Sequence, residues 1–148
     1  MISPDLLQAE LVAILRANAA VIAALPEAAN GVREMQWKGT AFQYPCVRVE
    51  RPGLSLQPNG GACEHRIADA AVRISVHSKR DSSIIAQQIL GFVEEALRGR
   101  TIATAALLAT QLYLVSMAPV EPGAVPGTSQ PSDIWTGTVN LRTIVSEL

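Results

Sequence analysis

The sequence has few of the residues from which catalytic and metal sites are built. Its 148 residues include two cysteines, two histidines, and two each of tryptophan, tyrosine and phenylalanine. A zinc site built from Cys46, Cys63, His65 and His77 would need closely spaced ligand pairs, which this spacing lacks. The cysteines form no CxxC pair, and we expect both to be reduced and structural. The sequence therefore predicts no metal site and no cofactor.

No catalytic motif accompanies these residues. His77 lacks a nucleophile elbow, a glycine-flanked serine and a clearly supporting carboxylate. The turn Asn59-Gly60-Gly61 is without the GxxxxGK[ST] or GxGxxG pattern of a phosphate-binding loop. A solvated helix face explains Glu94 and Glu95. We predict no catalytic residue and a protein that is not an enzyme.

Charge is sparse, and no long apolar run occurs. Charged residues make up 17% of the chain, the net charge is −1, and the 12 Lys and Arg are spread along it. Since DNA affinity grows with the number of clustered cations, high-affinity DNA binding is not expected. The apolar stretch from Leu11 to Leu25 contains Arg16 and Asn18, which excludes a transmembrane helix and argues against a signal peptide. We therefore expect synthesis in the cytoplasm and no membrane contact.

Apolar residues are abundant by contrast. They make up 49% of the chain, and a length of 148 residues most simply forms one domain, residues 1–148. Such a chain buries about 70% of the surface that its unfolded form exposes, so it needs no metal or disulfide to fold. With so few charges, some apolar surface stays exposed on a lone subunit, which favours self-association.

Two helices are predicted from apolar spacing and capping. Ser3-Pro4-Asp5 is a typical helix start, and an apolar stripe then runs to Leu25, which predicts one helix of about six turns. Asp81 and Ser82 cap a second helix, which ends before Gly99. Its predicted inner stripe is Ile85, Ile89, Phe92, Val93, Ala96 and Leu97.

The remaining apolar segments have the alternation of strands. Residues 32–37 predict a short edge strand, and residues 46–49 predict a half-buried strand with Val47 and Val49 facing inward. The clearest alternation runs from Glu64 to Ser78, and further strands are predicted over residues 112–117 and 134–145. Proline and glycine predict protruding loops near residues 51–63 and 119–133, while residues 101–109 fit a short helix or a strand. We therefore predict an α+β fold: a mixed, mostly antiparallel sheet of about four to five strands with two main helices packed on it.

The order of these elements resembles a known family. The strand Tyr44-Pro45-Cys46-Val47-Arg48-Val49, a glycine-then-Glu approach to the strand starting at Glu64, and a helix after the short basic turn at Lys79-Arg80 carry the likeness. This order is similar to that of the tail terminator, or tail completion, proteins of long-tailed bacteriophages. The likeness covers most of the chain and is weakest at the segments 101–109 and 119–132.

The resemblance implies a structural virion protein. Members assemble into a hexameric ring that caps the tail tube, ends its polymerisation and joins the tail to the head. The implied partners are further copies of the chain, the tail tube protein and a head-completion or connector protein, with DNA passing through the lumen without specific binding. The implied location is the tail-neck of the virion, after synthesis in the host cytoplasm. The alternatives are another phage neck, head-completion or baseplate structural protein and, more remotely, a small ligand-binding domain or enzyme.

An assembling ring directs attention to candidate interface residues. Tryptophan on a strand is a good interface anchor, which singles out Trp37 and Trp135. The loop following Glu50 is expected to contact the tube or the neighbouring subunit, which adds Arg51, Leu54 and Leu56. Deleting residues 54–60 is expected to abolish capping and to leave a folded subunit.

Overall fold

The structure, a computed structural model, describes residues 3–39, 43–56, 67–79, 83–104, 107–109, 111–124 and 131–147. Within these residues it contains three α-helices, one 3-10 turn and eight β-strands. The helices are α1 (Pro4–Ala17), α2 (Ala19–Ala23) and α3 (Ser83–Leu97), and the 3-10 turn is Ala28–Gly31. The strands are β1 (Val32–Glu34), β2 (Cys46–Val49), β3 (Gly53–Leu56), β4 (Ile67–Lys79), β5 (Ile102–Ala103), β6 (Leu107–Ala109), β7 (Tyr113–Ala124) and β8 (Pro131–Glu147).

All eight strands belong to one sheet built around β4 and β8. Its order is β1-β2-β4-β8-β6-β5, with β3 also paired to β4 and β7 also paired to β8. Only β1 and β2 run parallel among the described pairs, and every other pair is antiparallel. The α+β class and the mixed, mostly antiparallel sheet are thus confirmed, whereas the count of four to five strands is wrong.

The extra strands arise because short strands share one edge of a long strand. β2 pairs with the second half of β4, and β3 pairs with its first half. In the same way β6 and β7 share the outer edge of β8. Proline and glycine between or within these short strands favour a loop prediction, although the backbone still pairs.

The helices cover one face of this sheet, which we call the helix face. Five alternate β4 residues pack there against the buried stripes of α1 and α3: Ala68, Ala70, Val72, Ile74 and Val76. Their partners across the β4–β8 ladder include Val139, Leu141 and Val145, all of which are buried. The predicted inward face of the longest alternating segment is therefore confirmed.

The N-terminal helix is shorter than predicted because Asn18 interrupts it. Asn18 has an extended backbone, and its side-chain oxygen accepts a hydrogen bond from the Val21 amide at 3.1 Å. An asparagine side chain competes in this way with the intrahelical bonds, so it ends α1 and caps α2. The apolar stripe continues across the break, since Leu15 and Val21 are both fully buried.

The buried face of α3 differs in part from the predicted stripe. Ile85 is 40% exposed, while Ala86 and Leu90 are buried in its place. Glu94 is also buried rather than solvated, and its carboxylate lies 3.0 Å from Arg98 Nε. The predicted end of the helix is confirmed, because Gly99 has a φ of 73°, the left-handed conformation that glycine adopts at helix ends. The predicted caps Asp81 and Ser82 lie outside the described residues.

Both predicted loops contain paired strand. Residues 53–56 form β3, and the rest of that loop, residues 57–63, lies outside the described residues. β7 extends to residue 124 and β8 begins at residue 131, so strand occupies most of the second predicted loop. The segment left open at 101–109 contains β5 and β6, which pair with each other.

Candidate interaction surface

The face of the sheet opposite the helices, which we call the outer face, has a covered half and an open half. In the covered half the side chains that alternate with the core residues are nevertheless buried. Arg48 lies opposite Ser75, Cys46 lies opposite His77, and all four are at most 5% exposed. β2 is therefore buried on both faces, which corrects the prediction of a half-buried strand.

Arg48 is the centre of the covered half. Its Nη1 donates hydrogen bonds to the carbonyl oxygens of Val47 at 2.9 Å and Gly31 at 3.2 Å. Its guanidinium also lies 5.3 Å from the centroid of the Trp37 ring, and Arg33 lies 4.6 Å from the same ring. A buried guanidinium is tolerated only when such partners replace its water, and its contact with the Trp37 ring holds the segment after β1 over the sheet.

Burial changes the proton affinity of the groups around Arg48. Burial, followed by the nearby Arg48 charge, lowers the pKa of His77 to about 4. Burial also raises the pKa of Cys46 to about 11, against the opposing influence of Arg48. The pKa of Tyr44 is raised to about 12, again mainly by burial. At neutral pH the imidazole of His77 is therefore neutral, and the thiol of Cys46 keeps its proton instead of forming the nucleophilic thiolate.

The open half of the outer face lies toward the other end of β4 and β8. Three neighbouring strands place exposed apolar and charged side chains beside one another on this half. These are Ile67, Ala71 and Arg73 on β4, Arg142 and Ile144 on β8, and Tyr113 and Val115 on β7. A cleft of about 290 Å³ opens between the β2–β3 junction, the centre of β4 and Val115. Exposed apolar side chains among mixed charges are typical of a protein-binding surface.

The edge of the sheet at β1 is closed. The Val32 carbonyl accepts a hydrogen bond from Arg16 Nε at 2.9 Å, and the Glu34 carbonyl accepts one from the Trp37 amide at 3.1 Å. An edge strand whose outward carbonyls are already bonded within the subunit is a poor template for pairing with another chain. This edge is therefore protected inside the subunit.

A groove of about 470 Å³ follows the side of α1 next to this edge. Gln8 and Gln36 exchange side-chain hydrogen bonds of 2.9 and 3.0 Å across it, and Gln8 also donates to the Val49 carbonyl at 2.8 Å. These bonds fasten the segment after β1 to α1. The groove also contains acidic and basic side chains, of which Asp5 pairs with Arg51 and Arg16 bonds to the Val32 carbonyl.

The predicted interface residues are distributed over different parts of the sheet. Trp37 lies over Arg48 in the covered half, and its ring leaves no room for a Cβ at Gly39. Arg51 is exposed, lines the cleft of the open half, and pairs with Asp5 at 3.0 Å. The structure does not bring Trp37 and Arg51 into one cluster.

The other three predicted residues lie on strands. Leu54 is on the helix face of β3 and packs against the core, and the backbone of Leu56 pairs with Ala68. Trp135 is half-buried on β8, opposite Ser78. Deleting residues 54–60 would remove most of β3, so we no longer expect that variant to leave a folded subunit.

Sequence reasoning missed the exposed apolar side chains on β7. Tyr113 is 53% exposed, Val115 54% and Met117 42%. The alternation of this segment predicts a strand, but only the pairing shows that it lies beside β8 and pairs with no other described strand. The signal available in the sequence was the lack of any charged residue between Leu112 and Val120.

Two further observations concern chemistry and membranes. Across the described part of the chain, no group of three or more His, Cys, Asp and Glu residues is placed to hold a metal ion. None of the described helices has the length and apolar character needed to cross a bilayer.

Comparison with known proteins identifies the architecture. No family model matches this sequence, and the search of curated proteins gave no match. Among solved structures, a chain from the virion of a native gene transfer agent particle superposes with a TM-score of 0.71. The match covers 95% of this chain and 94% of that chain at 18% sequence identity. This chain shares the fold of a virion protein. At such an identity the likeness concerns the fold alone.

Proposed function

We propose that this protein is a structural subunit of a phage-like virion, and that it acts as a tail terminator. In this proposal several copies, six by the family resemblance, form a ring on the end of the tail tube. The ring stops tube growth and supplies the surface to which the head-completion protein binds. The observation that carries the proposal is the likeness to the virion chain, which extends over 95% of the chain.

The surfaces of the subunit are consistent with this role. A ring requires heterologous contacts, in which one patch meets a different patch on the next subunit. The open half of the outer face and the edges of the sheet provide different patches on one chain. A net charge of −1 without a basic cluster also suits a lumen through which DNA passes without binding.

Capping of purified tail tubes tests the function directly. The protein is added to growing tubes, and tube lengths and ends are recorded by negative-stain electron microscopy. We expect shorter tubes with a ring at one end. Tubes of unchanged length would contradict the terminator role, and binding to the head-completion protein without binding to tubes would indicate another neck component.

A loop variant makes this test specific for the predicted tube contact. Deleting residues 57–60 while keeping β3 intact is expected to abolish capping. The matched control replaces the same four residues with glycine and serine, which preserves the length of the connection between β3 and β4. If the deletion variant is folded and still caps tubes, this loop does not contact the tube.

A further inference from the structure

The outer edge of β7 is the longest open strand edge in the described part of the chain. One edge of β7 pairs with β8 from Tyr113 to Ala124. On the other edge, the turn after α3 bonds to Leu112: Gly99 donates to its carbonyl at 2.7 Å, and its amide donates to the Arg100 carbonyl at 2.9 Å. Beyond that point no described strand pairs with β7. Within the described part of the chain this edge is therefore open to another strand from residue 113 up to Pro119, the first residue of β7 that lacks an amide N–H.

The first half of this edge has no charged side chain that would prevent pairing with another strand. Exposed edge strands are usually shielded by lysine, proline or inward-pointing charges. Residues 113–118 contain no charged residue, and Tyr113, Val115 and Met117 are each more than 40% exposed. A register shift between Leu114 and Ser116 leaves Val115 outside the ladder, and an irregularity of this kind can re-aim a side chain toward a neighbour. The edge is therefore suited to a specific partner.

The same chain carries a complementary edge on the opposite side of the sheet. β8 occupies one edge of β4 along its whole length, so β3 must pair with the other edge. The outward edge of β3 pairs with no described strand, and its residues, Gly53 to Leu56, are uncharged. Because the β1 edge is already closed by Arg16 and Trp37, β3 is the available acceptor on this side.

We propose that the β7 edge around Val115 pairs with the β3 edge of a second copy of this chain. The contact is heterologous, because it joins two different edges, and it continues the sheet from one subunit to the next. Two uncharged edges meet without like-charge repulsion, and the exposed β7 side chains become covered. The inference rests on the proposed function, since it names the contact that would close the ring.

Edge-blocking variants test the pairing in the full chain. One variant carries Val115→Lys and Met117→Lys on β7, and a second carries Ser55→Lys on β3. The control is Ile84→Lys at a 69% exposed isoleucine on α3, which matches the single added charge of Ser55→Lys and of Val115→Lys alone. Molar mass is measured by light scattering on a sizing column up to the highest soluble concentration, and circular dichroism checks that each variant is folded. If the double variant does not fold, Val115→Lys alone replaces it, since that side chain is 54% exposed.

We expect wild type and Ile84→Lys to form the same oligomer, and each edge variant to be a monomer. The loss should correspond to roughly thirty-fold weaker association or more, the effect typical of a central interface residue. Mixing the two edge variants should yield heterodimers only, because one intact β7 edge then meets one intact β3 edge. That stoichiometry would separate the proposed pairing from an isologous contact between two β7 edges.

Three results would overturn the pairing: an unchanged oligomer in the β7 variant, an unchanged oligomer in Ser55→Lys, or a wild type that stays monomeric. The function is tested separately by tube capping. A monomer that still caps tubes would refute the pairing and leave the terminator role standing. An oligomer that depends on both edges but caps no tube would support the pairing and refute the role.

Discussion

We predict that protonation of His77 destabilises the fold in mild acid. The His77 side chain is 4% exposed, its Nδ1 lies 3.1 Å from Thr136 Oγ1, and its Nε2 has no hydrogen-bond partner among the described residues. A protonated ring would carry a proton on both nitrogens, one of them buried without an acceptor and both close to the Arg48 charge. The folded protein therefore holds this side chain neutral.

The magnitude follows from the two pKa values. The pKa of His77 is about 4 in the folded protein, against an ordinary value of 6.5. Between these values the unfolded chain binds the extra proton, so the contribution of His77 lowers stability as the pH falls from about 6.5 to about 4, and this contribution is constant above that range. The full loss is about 3 kcal/mol, of which about 2 kcal/mol is reached at about pH 5. For a chain of this size, that partial loss corresponds to a melting temperature lower by about 4–8 °C.

Urea unfolding at about pH 7.5 and about pH 5 measures this loss, with His77→Gln as the comparison. Glutamine does not titrate and keeps a polar group opposite Thr136. Wild type should lose about 2 kcal/mol more than His77→Gln between the two pH values, while contributions from the carboxylates cancel in the difference. Equal losses in the two proteins would refute the assignment of the acid sensitivity to His77.

Three shorter predictions concern other parts of the chain. Gln8→Ala removes the bonds to Gln36 and Val49 and should lower the unfolding free energy by about 1–3 kcal/mol in urea titrations, whereas a neutral effect would mean that water replaces them. Gly99→Ala places a Cβ at a φ of 73° and should cost about 1 kcal/mol by thermal melting, while an unchanged melting temperature would contradict the strain. Trp135→Ala should abolish ring assembly seen by negative stain. If rings persist and only the melting temperature falls, Trp135 is a core residue.

Most of the secondary structure could be predicted because it depends on local periodicity. The alternation through β4 identifies the helix face, and the glycine after α3 marks the end of that helix. The break in the first helix could not be predicted from apolar spacing, since the stripe continues through Asn18 while the backbone does not. The strand count was wrong for a related reason: β3 and the second half of β7 form because long neighbours supply pairing partners, whatever their proline and glycine content.

The division of the outer face depends on contacts that are distant in sequence. Alternation places Arg48 and His77 on the polar side of their strands, which predicts exposure. The structure buries both, because the segment containing Trp37 folds back over this half of the sheet and supplies a ring to the guanidinium. The sequence around Arg48 does not indicate that Trp37, eleven positions earlier, will cover it.

Which strand edges remain open is likewise a property of the whole sheet. The β1 and β7 segments both read as strands, yet one edge is closed by Arg16 and the other is not. Arg16 belongs to a helix and bonds a carbonyl sixteen residues away, so its role depends on how α1 crosses the sheet. Because the sequence does not show which edge is open, the predicted interface residues are tryptophans and residues of a loop. The edge at Val115 contains neither a tryptophan nor a charged residue. A surface that joins copies through backbone pairing needs a strand without protective charges, and that strand must lie at an open edge of the sheet. The lack of charge can be read from the sequence, whereas the position at an edge is defined only by the folded sheet.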